Sequence, residues 1–178
     1  MFTSRHCLFA MLLLSSCAMM PPPEPHSSGP NLGHAASAEE IAALDISISP
    51  SGAGLPAGAG TVKQGEAVYA AKCLGCHGTN GAGKPADRLV GGIGTLATAN
   101  PVRTVGSYWP YATTLFDYVR RAMPTNAPRS LTNDEVYAVS AYILNLNGII
   151  AADAVMNAQT LPQVKMPNRD GFVDYSRR

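Results

Sequence analysis

The chain has 178 residues, with 13 Lys+Arg against 12 Asp+Glu, 17 Gly and 14 Pro. That length suits one domain of ordinary size with additional segments. The near-balance of charge excludes the concentrated basic face that a nucleic-acid partner requires.

The opening "MFTSRHCLFAMLLLSSC" has a basic start at Arg5, an apolar run from Cys7 to Leu14, and small residues after it. This is the plan of a bacterial secretory signal, and the run is too short to span a bilayer. The ending "LSSC" resembles a lipobox, with Leu14, Ser15 and Ser16 before Cys17. Residues 1–16 are therefore read as a lipoprotein-type signal peptide, and Cys17 as the acylated first residue of the mature chain. Ordinary cleavage and release is the competing reading. Several acyl chains anchor stably where one alone is marginal. The expected location is the periplasm, with the protein lipid-anchored to a membrane. Cys7 leaves with the signal and Cys17 carries lipid, so Cys73 and Cys76 are the thiols left to the domain.

Residues 17–60 are rich in Pro, Gly, Ala and Ser and poor in large apolar side chains. Such a stretch cannot bury enough surface to offset its ordering entropy. It reads as a tether whose ends lie roughly 35 Å apart. "IAALDISIS" is the exception, because Ile46 and Ile48 alternate with polar residues and suit a short extended strap.

A domain of about 90 residues, 61–150, comes next. "TVKQGEAVYAAKCLGCH" has helical periodicity, with Val62, Gly65, Val68, Tyr69 and Lys72 near one face. Gly65 weakens a helix by up to about 1 kcal/mol against Ala, and a close helix crossing would explain it. The Gly- and Pro-rich segment 78–110 reads as loop. Thr113–Met123 reads as a helix with Leu115, Phe116, Val119 and Ala122 on one face, ended by Pro124. The next helix has Thr132 as N-cap and Glu135 completing a capping box. Its stripe is Val136, Val139, Ser140, Ile143 and Leu146 or Asn147, and Gly148 stands at the C-terminal cap. In 151–178, a C-terminal extension packing on the domain, "AADAVMNAQ" reads as one short helix. With no strand series, the fold class is all-α.

The chemistry centres on "AAKCLGCHG". A redox dithiol of the thioredoxin type needs a βαβ setting, which a helical chain lacks. A structural zinc site needs four ligands, and adjacent Cys76 and His77 cannot easily join Cys73 around one tetrahedron. The remaining reading is the CxxCH attachment signature of a c-type haem. Cysteines three apart on a helical turn project the same way, so both can form thioethers on one side of a porphyrin. His77 then supplies a nitrogen to iron, and its other ring nitrogen needs an acceptor, for which the carbonyl of Pro85 is a candidate.

No histidine follows His77, so methionine is the natural sixth ligand. Met123 ends a helix and enters the loop "MPTNAPRSLT". Met166, before Pro167, is its rival, and Met156 suits packing. His/Met ligation favours ferrous haem and closes the iron to small molecules, which argues for electron transfer rather than catalysis.

"GEAVYAAKCLGCHG", "AMP" and "AYIL" resemble class I cytochrome c over roughly residues 60–150. The resemblance implies that family's fold, a small helical bundle around one covalent haem c. It places Gly65, Tyr69 and Tyr142 at the crossing of the first and last helices. "VGSYWPYATTLFDYVRRAMP", "LTNDEVYAVSAYILNLNGII" and "VKMPNRDGF" resemble the cytochrome subunits of bacterial sulfite and sulfane (sulfur) dehydrogenases. What this implies is an electron carrier, not itself an enzyme. It would accept electrons from a molybdenum dehydrogenase subunit and pass them to a downstream cytochrome or oxidase. The single CxxCH departs from the two haems usual in sulfane dehydrogenase cytochromes. The resemblance also suggests that Trp109 and Tyr111 line the haem. Arg88 is a candidate partner for a propionate, with simple solvation as the alternative; Arg120, Arg121 and Arg129 read as a solvated helix face or as a basic ring near Met123 that would steer an acidic partner. The alternative functions are a general respiratory shuttle, or a haem-based sensor of a small ligand or of redox state.

Overall fold

The protein is described by a computed structural model that covers residues 32–173 and 175. The signal segment 1–16 and Cys17 lie outside the described residues. The chain divides into two units, 1–37 and 38–178. In the first, residues 32–37 are exposed and without helix or strand. Everything below concerns the second.

This unit opens with a short helix, α1 (Ala38–Leu44), which shows Ile41 and Leu44 to solvent. The expected strap follows it, with half-buried Ile46 and Ile48 alternating with exposed residues. The reading of 17–60 as tether needs correction over its second half. Ile48 and Leu55 pack on the core. The buried Tyr137 donates its hydroxyl to the Pro56 carbonyl at 2.9 Å, and Asp134 accepts the Ala59 N–H at 2.8 Å. Composition missed this because the segment is held through its backbone polar groups more than through apolar side chains.

Strand β1 (Ala59–Thr61) leads into helix α2 (Val62–Lys72). Thr61 caps α2 reciprocally: its Oγ1 accepts from the Gln64 N–H at 3.2 Å, while Gln64 Oε1 accepts from the Thr61 N–H at 2.8 Å. A bend at Cys73 separates α2 from the single turn α3 (Leu74–His77). The loop that follows opens with a 3₁₀ turn (Thr79–Gly81) and later holds an unexpected turn of α-helix, α4 (Val105–Tyr108), capped by Thr104 with Ser107. Helix α5 (Ala112–Ala122) stops before Met123 and Pro124.

Helix α6 (Asn133–Leu146) has the expected capping box, with the Thr132 N–H donating to Glu135 at 2.9 Å and the Glu135 N–H to Thr132 at 3.2 Å. Its far end closes as a Schellman motif. Gly148 takes φ +68°, the Ile149 N–H reaches the Leu144 carbonyl at 3.0 Å, and the Gly148 N–H reaches Asn145 at 2.8 Å. Asn147 is the C-cap and a buried hydrogen-bonding hub, not a member of the apolar stripe.

Helices α2 and α6 cross at Gly65, where a Cβ would overlap the Ala138 carbonyl. The Tyr69 and Tyr142 rings meet beside it at 5.3 Å. Phe116 of α5 packs on Tyr137 of α6 with ring centroids 4.4 Å apart. These contacts form one core with Val62, Val136, Leu144 and Leu161.

The extension past 150 is also part of this core. Its expected short helix is instead strand β2 (Val155–Asn157), antiparallel to β1 with Gly60 opposite Met156. The reason is local. Asn157 Oδ1 accepts the N–H groups of Gln159 and Thr160 at 2.9 Å each, a turn that competes with helix. Beyond it Leu161, Val164 and Met166 are buried. Among the described residues, no helix is long and apolar enough to cross a membrane.

Candidate functional site

A cavity of about 630 Å³ lies between α2–α3, α5 and α6, within the range of cofactor sites. Leu89, Val105, Trp109, Leu115, Val119, Leu131, Val139 and Ile143 give it apolar walls. Cys73, Cys76 and His77 line one part and Met123 another. The sequence motif and the favoured methionine are thus brought to one space. Met156 and Met166 are not at the cavity; they are 5% and 3% exposed and belong to the core.

The bend after α2 sets the motif. The Cys76 and His77 N–H groups both turn back onto the Cys73 carbonyl, at 3.2 and 3.0 Å. Tyr69 ties this turn to α2 by donating its hydroxyl to the Gly78 carbonyl at 2.8 Å. Burial pushes the Cys73 thiol up to about 11. A redox-active dithiol needs the opposite, a thiol stabilised as thiolate. No group of three His, Cys, Asp or Glu side chains disposed to hold a metal occurs among the described residues.

His77 Nδ1 lies 2.8 Å from the carbonyl of Asp87. A carbonyl only accepts, so Nδ1 carries a proton, and in the neutral ring this tautomer leaves Nε2 as the nitrogen that can bind a metal. Asp87, not the expected Pro85, supplies the carbonyl. Pro85 lies inside a tight turn closed by the Lys84 N–H on Ala86 O at 2.7 Å, and the accepting group falls beyond it. The loop is stitched to the motif twice more, by Gly83 N–H on His77 O at 2.7 Å and Ala86 N–H on Cys76 O at 2.8 Å.

Met123 is the extended residue that ends α5, with its N–H still on the Val119 carbonyl at 3.1 Å. Its sulfur accepts from the Thr125 hydroxyl at 3.5 Å. An apolar cavity, two neighbouring thiols, an imidazole whose Nδ1 is held by a carbonyl and a thioether sulfur match what a covalently held haem requires. When bound, that group would supply reversible one-electron chemistry.

Several expected neighbours lie elsewhere. Trp109 lines the cavity and meets Tyr118 edge-on at 5.6 Å. Tyr111 does not line it; its ring lies under the Arg169 guanidinium at 4.4 Å. Arg88, Arg120, Arg121 and Arg129 do not line it either, and Arg121 pairs with Asp117 at 2.8 Å. The cation at the cavity is Lys72, bound to Glu135 at 2.6 Å. That contact leads the causes holding the Glu135 carboxyl below its ordinary value. Sequence reasoning missed Leu89, Tyr118, Thr125 and Asn126. Tyr118 alone had a signal, standing three residues after Leu115 on α5.

The Cytochrome c family model matches residues 62–147, from the first residue of α2 to the C-cap of α6. A chain in the crystal structure of the sulfane dehydrogenase SoxCD from Paracoccus pantotrophus is similar to this one at 41% identity. The match covers 83% of this chain and 73% of that one, with a TM-score of 0.76. No curated protein matches. With the motif, the helix crossing and the cavity all inside these matches, the chain belongs to the cytochrome c family, and its cofactor is covalently bound haem c.

Proposed function

We propose that this protein is a single-electron carrier whose haem is attached through Cys73 and Cys76 and ligated by His77 and Met123. It carries out no substrate chemistry of its own. The observation that carries this reading is the convergence of the CxxCH turn and Met123 on one apolar cavity. Apolar walls keep water from the haem and limit reorganisation between oxidation states. The Asp87 carbonyl fixes the His77 ring by holding the Nδ1 proton.

The electron donor in this proposal is a molybdenum dehydrogenase subunit acting on sulfite or a sulfane sulfur compound. Likeness to a chain of a sulfane dehydrogenase supports this donor. A downstream cytochrome or oxidase would receive the electron. Export to the periplasm, removal of residues 1–16 and a lipid on Cys17 complete the proposal, supported by the signal and lipobox-like residues.

The test is to mix the purified, haem-loaded protein with a sulfur-compound dehydrogenase and its substrate and follow the haem spectrum. Rapid reduction that depends on both additions is expected; none would overturn the assigned donor. Met123→Ala is expected to lose the six-coordinate low-spin spectrum, whereas Met166→Ala keeps it. The reverse result would reassign the ligand. Cys17→Ser is expected to move the exported protein from the membrane fraction to the soluble periplasm, and continued pelleting with membranes would refute the anchor.

A further inference from the structure

The loop after α5 holds Met123 at two points. Its backbone N–H completes the last helical turn on Val119 at 3.1 Å. Its sulfur accepts a hydrogen bond from the Thr125 hydroxyl at 3.5 Å, within the longer range that sulfur allows. A thioether carries no proton, so the hydroxyl must be the donor. Thr125 is itself placed by a β-turn, Pro124 to Ala127, closed by the Ala127 N–H on the Pro124 carbonyl at 2.9 Å. Pro124, Thr125 and Asn126 of this turn line the cavity beside Met123.

We propose that Thr125 is a positioning residue for Met123, its hydroxyl orienting the sulfur toward the cavity and drawing electron density from it. This rests on the reading of Met123 as a haem ligand. A sulfur that already accepts a hydrogen bond donates less strongly to iron, and the electron-poor ferric state depends more on that donation than the ferrous state does. The hydroxyl therefore biases the centre toward reduction, so the midpoint potential is higher with it than without. Second-shell hydrogen bonding is a general lever on the potential of such centres. Thr125 is exposed, so water competes with the bond and its effect is moderate. A single hydrogen bond of this kind changes an equilibrium by roughly threefold to tenfold.

The experiment is a redox titration of the haem-loaded full chain as wild type, Thr125→Val, Thr125→Ser and Met123→Ala. Thr125→Val is expected to lower the reduced-to-oxidised ratio at fixed ambient potential by about threefold to tenfold, a fall of about 30–60 mV at 59 mV per decade. Thr125→Ser, which keeps the hydroxyl, is expected to recover the wild-type value. All three Thr125 proteins are expected to melt at about the same temperature, since the site is on the surface. An unchanged potential in Thr125→Val, or no recovery in Thr125→Ser, overturns the proposal. Met123→Ala separates the two readings: if it leaves the spectrum six-coordinate and low-spin, the ligand assignment fails. If it abolishes that spectrum while Thr125→Val leaves the potential alone, only the role of Thr125 fails.

Discussion

The side-chain amide of Asn147 donates to the Leu89 carbonyl at 3.1 Å, across 58 positions of sequence. The same nitrogen reaches the Ile143 carbonyl at 2.9 Å, and Oδ1 accepts the Gly91 N–H at 3.1 Å. One buried C-cap thus fastens the end of α6 to the loop at Leu89 and Gly91, just past Asp87, the residue that orients His77. Asn147→Ala leaves the Leu89 carbonyl and the Gly91 N–H without this partner. A loss of about 2–3 kcal/mol is expected, read by denaturant unfolding of the haem-loaded protein. A change below about 0.5 kcal/mol would show that the loop is held by something else.

Gly65 poses a contest between propensity and packing. Alanine favours a helix interior by about 1 kcal/mol over glycine. Against this, a Cβ at 65 runs into the Ala138 carbonyl and lies 2.8 Å from Tyr142 Cβ. Both obstacles belong to the backbone or its first side-chain atom, so neither can swing aside. Gly65→Ala is expected to destabilise by about 1–3 kcal/mol net. A melting temperature above wild type would mean that the helices part more easily than this packing allows.

Ser140 is fully buried in α6, and its Oγ finds no hydrogen-bond partner. Removing an unsatisfied hydroxyl removes its desolvation cost. Ser140→Ala is therefore expected to be neutral or stabilising by up to about 1 kcal/mol. A loss above about 1 kcal/mol would reveal a bond that Oγ makes in solution.

Lys72 and Glu135 join α2 to the first turn of α6. The carboxyl is held below its usual value of 4.5 by Lys72 first, then by the Thr132 backbone. A depressed folded value means the contribution is present above the unfolded carboxylate value and fades as pH falls through the folded one. Glu135→Gln preserves the capping box and removes the charge. It is expected to cost about 0.2–1 kcal/mol at pH 7 and to converge with wild type once the pH falls below the depressed folded value, where the carboxyl is protonated. A gap that persists in acid would assign the effect to the cap rather than the ion pair.

How much could be read from the residues depended on how local the cause was. The CxxCH turn, the Thr132–Glu135 cap and the Gly148 terminus are written within a few positions of one another, and each stands where expected. Gly65 was legible as an anomaly, since nothing local justifies glycine in mid-helix. The failures share a long-range cause. Nothing near Asn147 announces Leu89 as its partner, and nothing near Pro56 announces Tyr137. The arginines near Met123 allow a basic ring or a solvated helix face, and none of them lines the cavity, where the cation is Lys72, distant in sequence. In the tail, the helical pattern lost to the side-chain turn of Asn157 and to pairing with a strand nearly a hundred residues earlier.

That pairing bears on how the molecule comes together. Gly60 and Met156 are zipped across the two ends of the helical unit, outside the stretch that marks its family. Shortening the polypeptide to that stretch would remove both strands and uncover the apolar faces that Leu161, Val164 and Met166 seal. Leu161, Val164 and Met166 follow the last helix in chain order, so the core is complete only when the segment beyond α6 has folded back onto it.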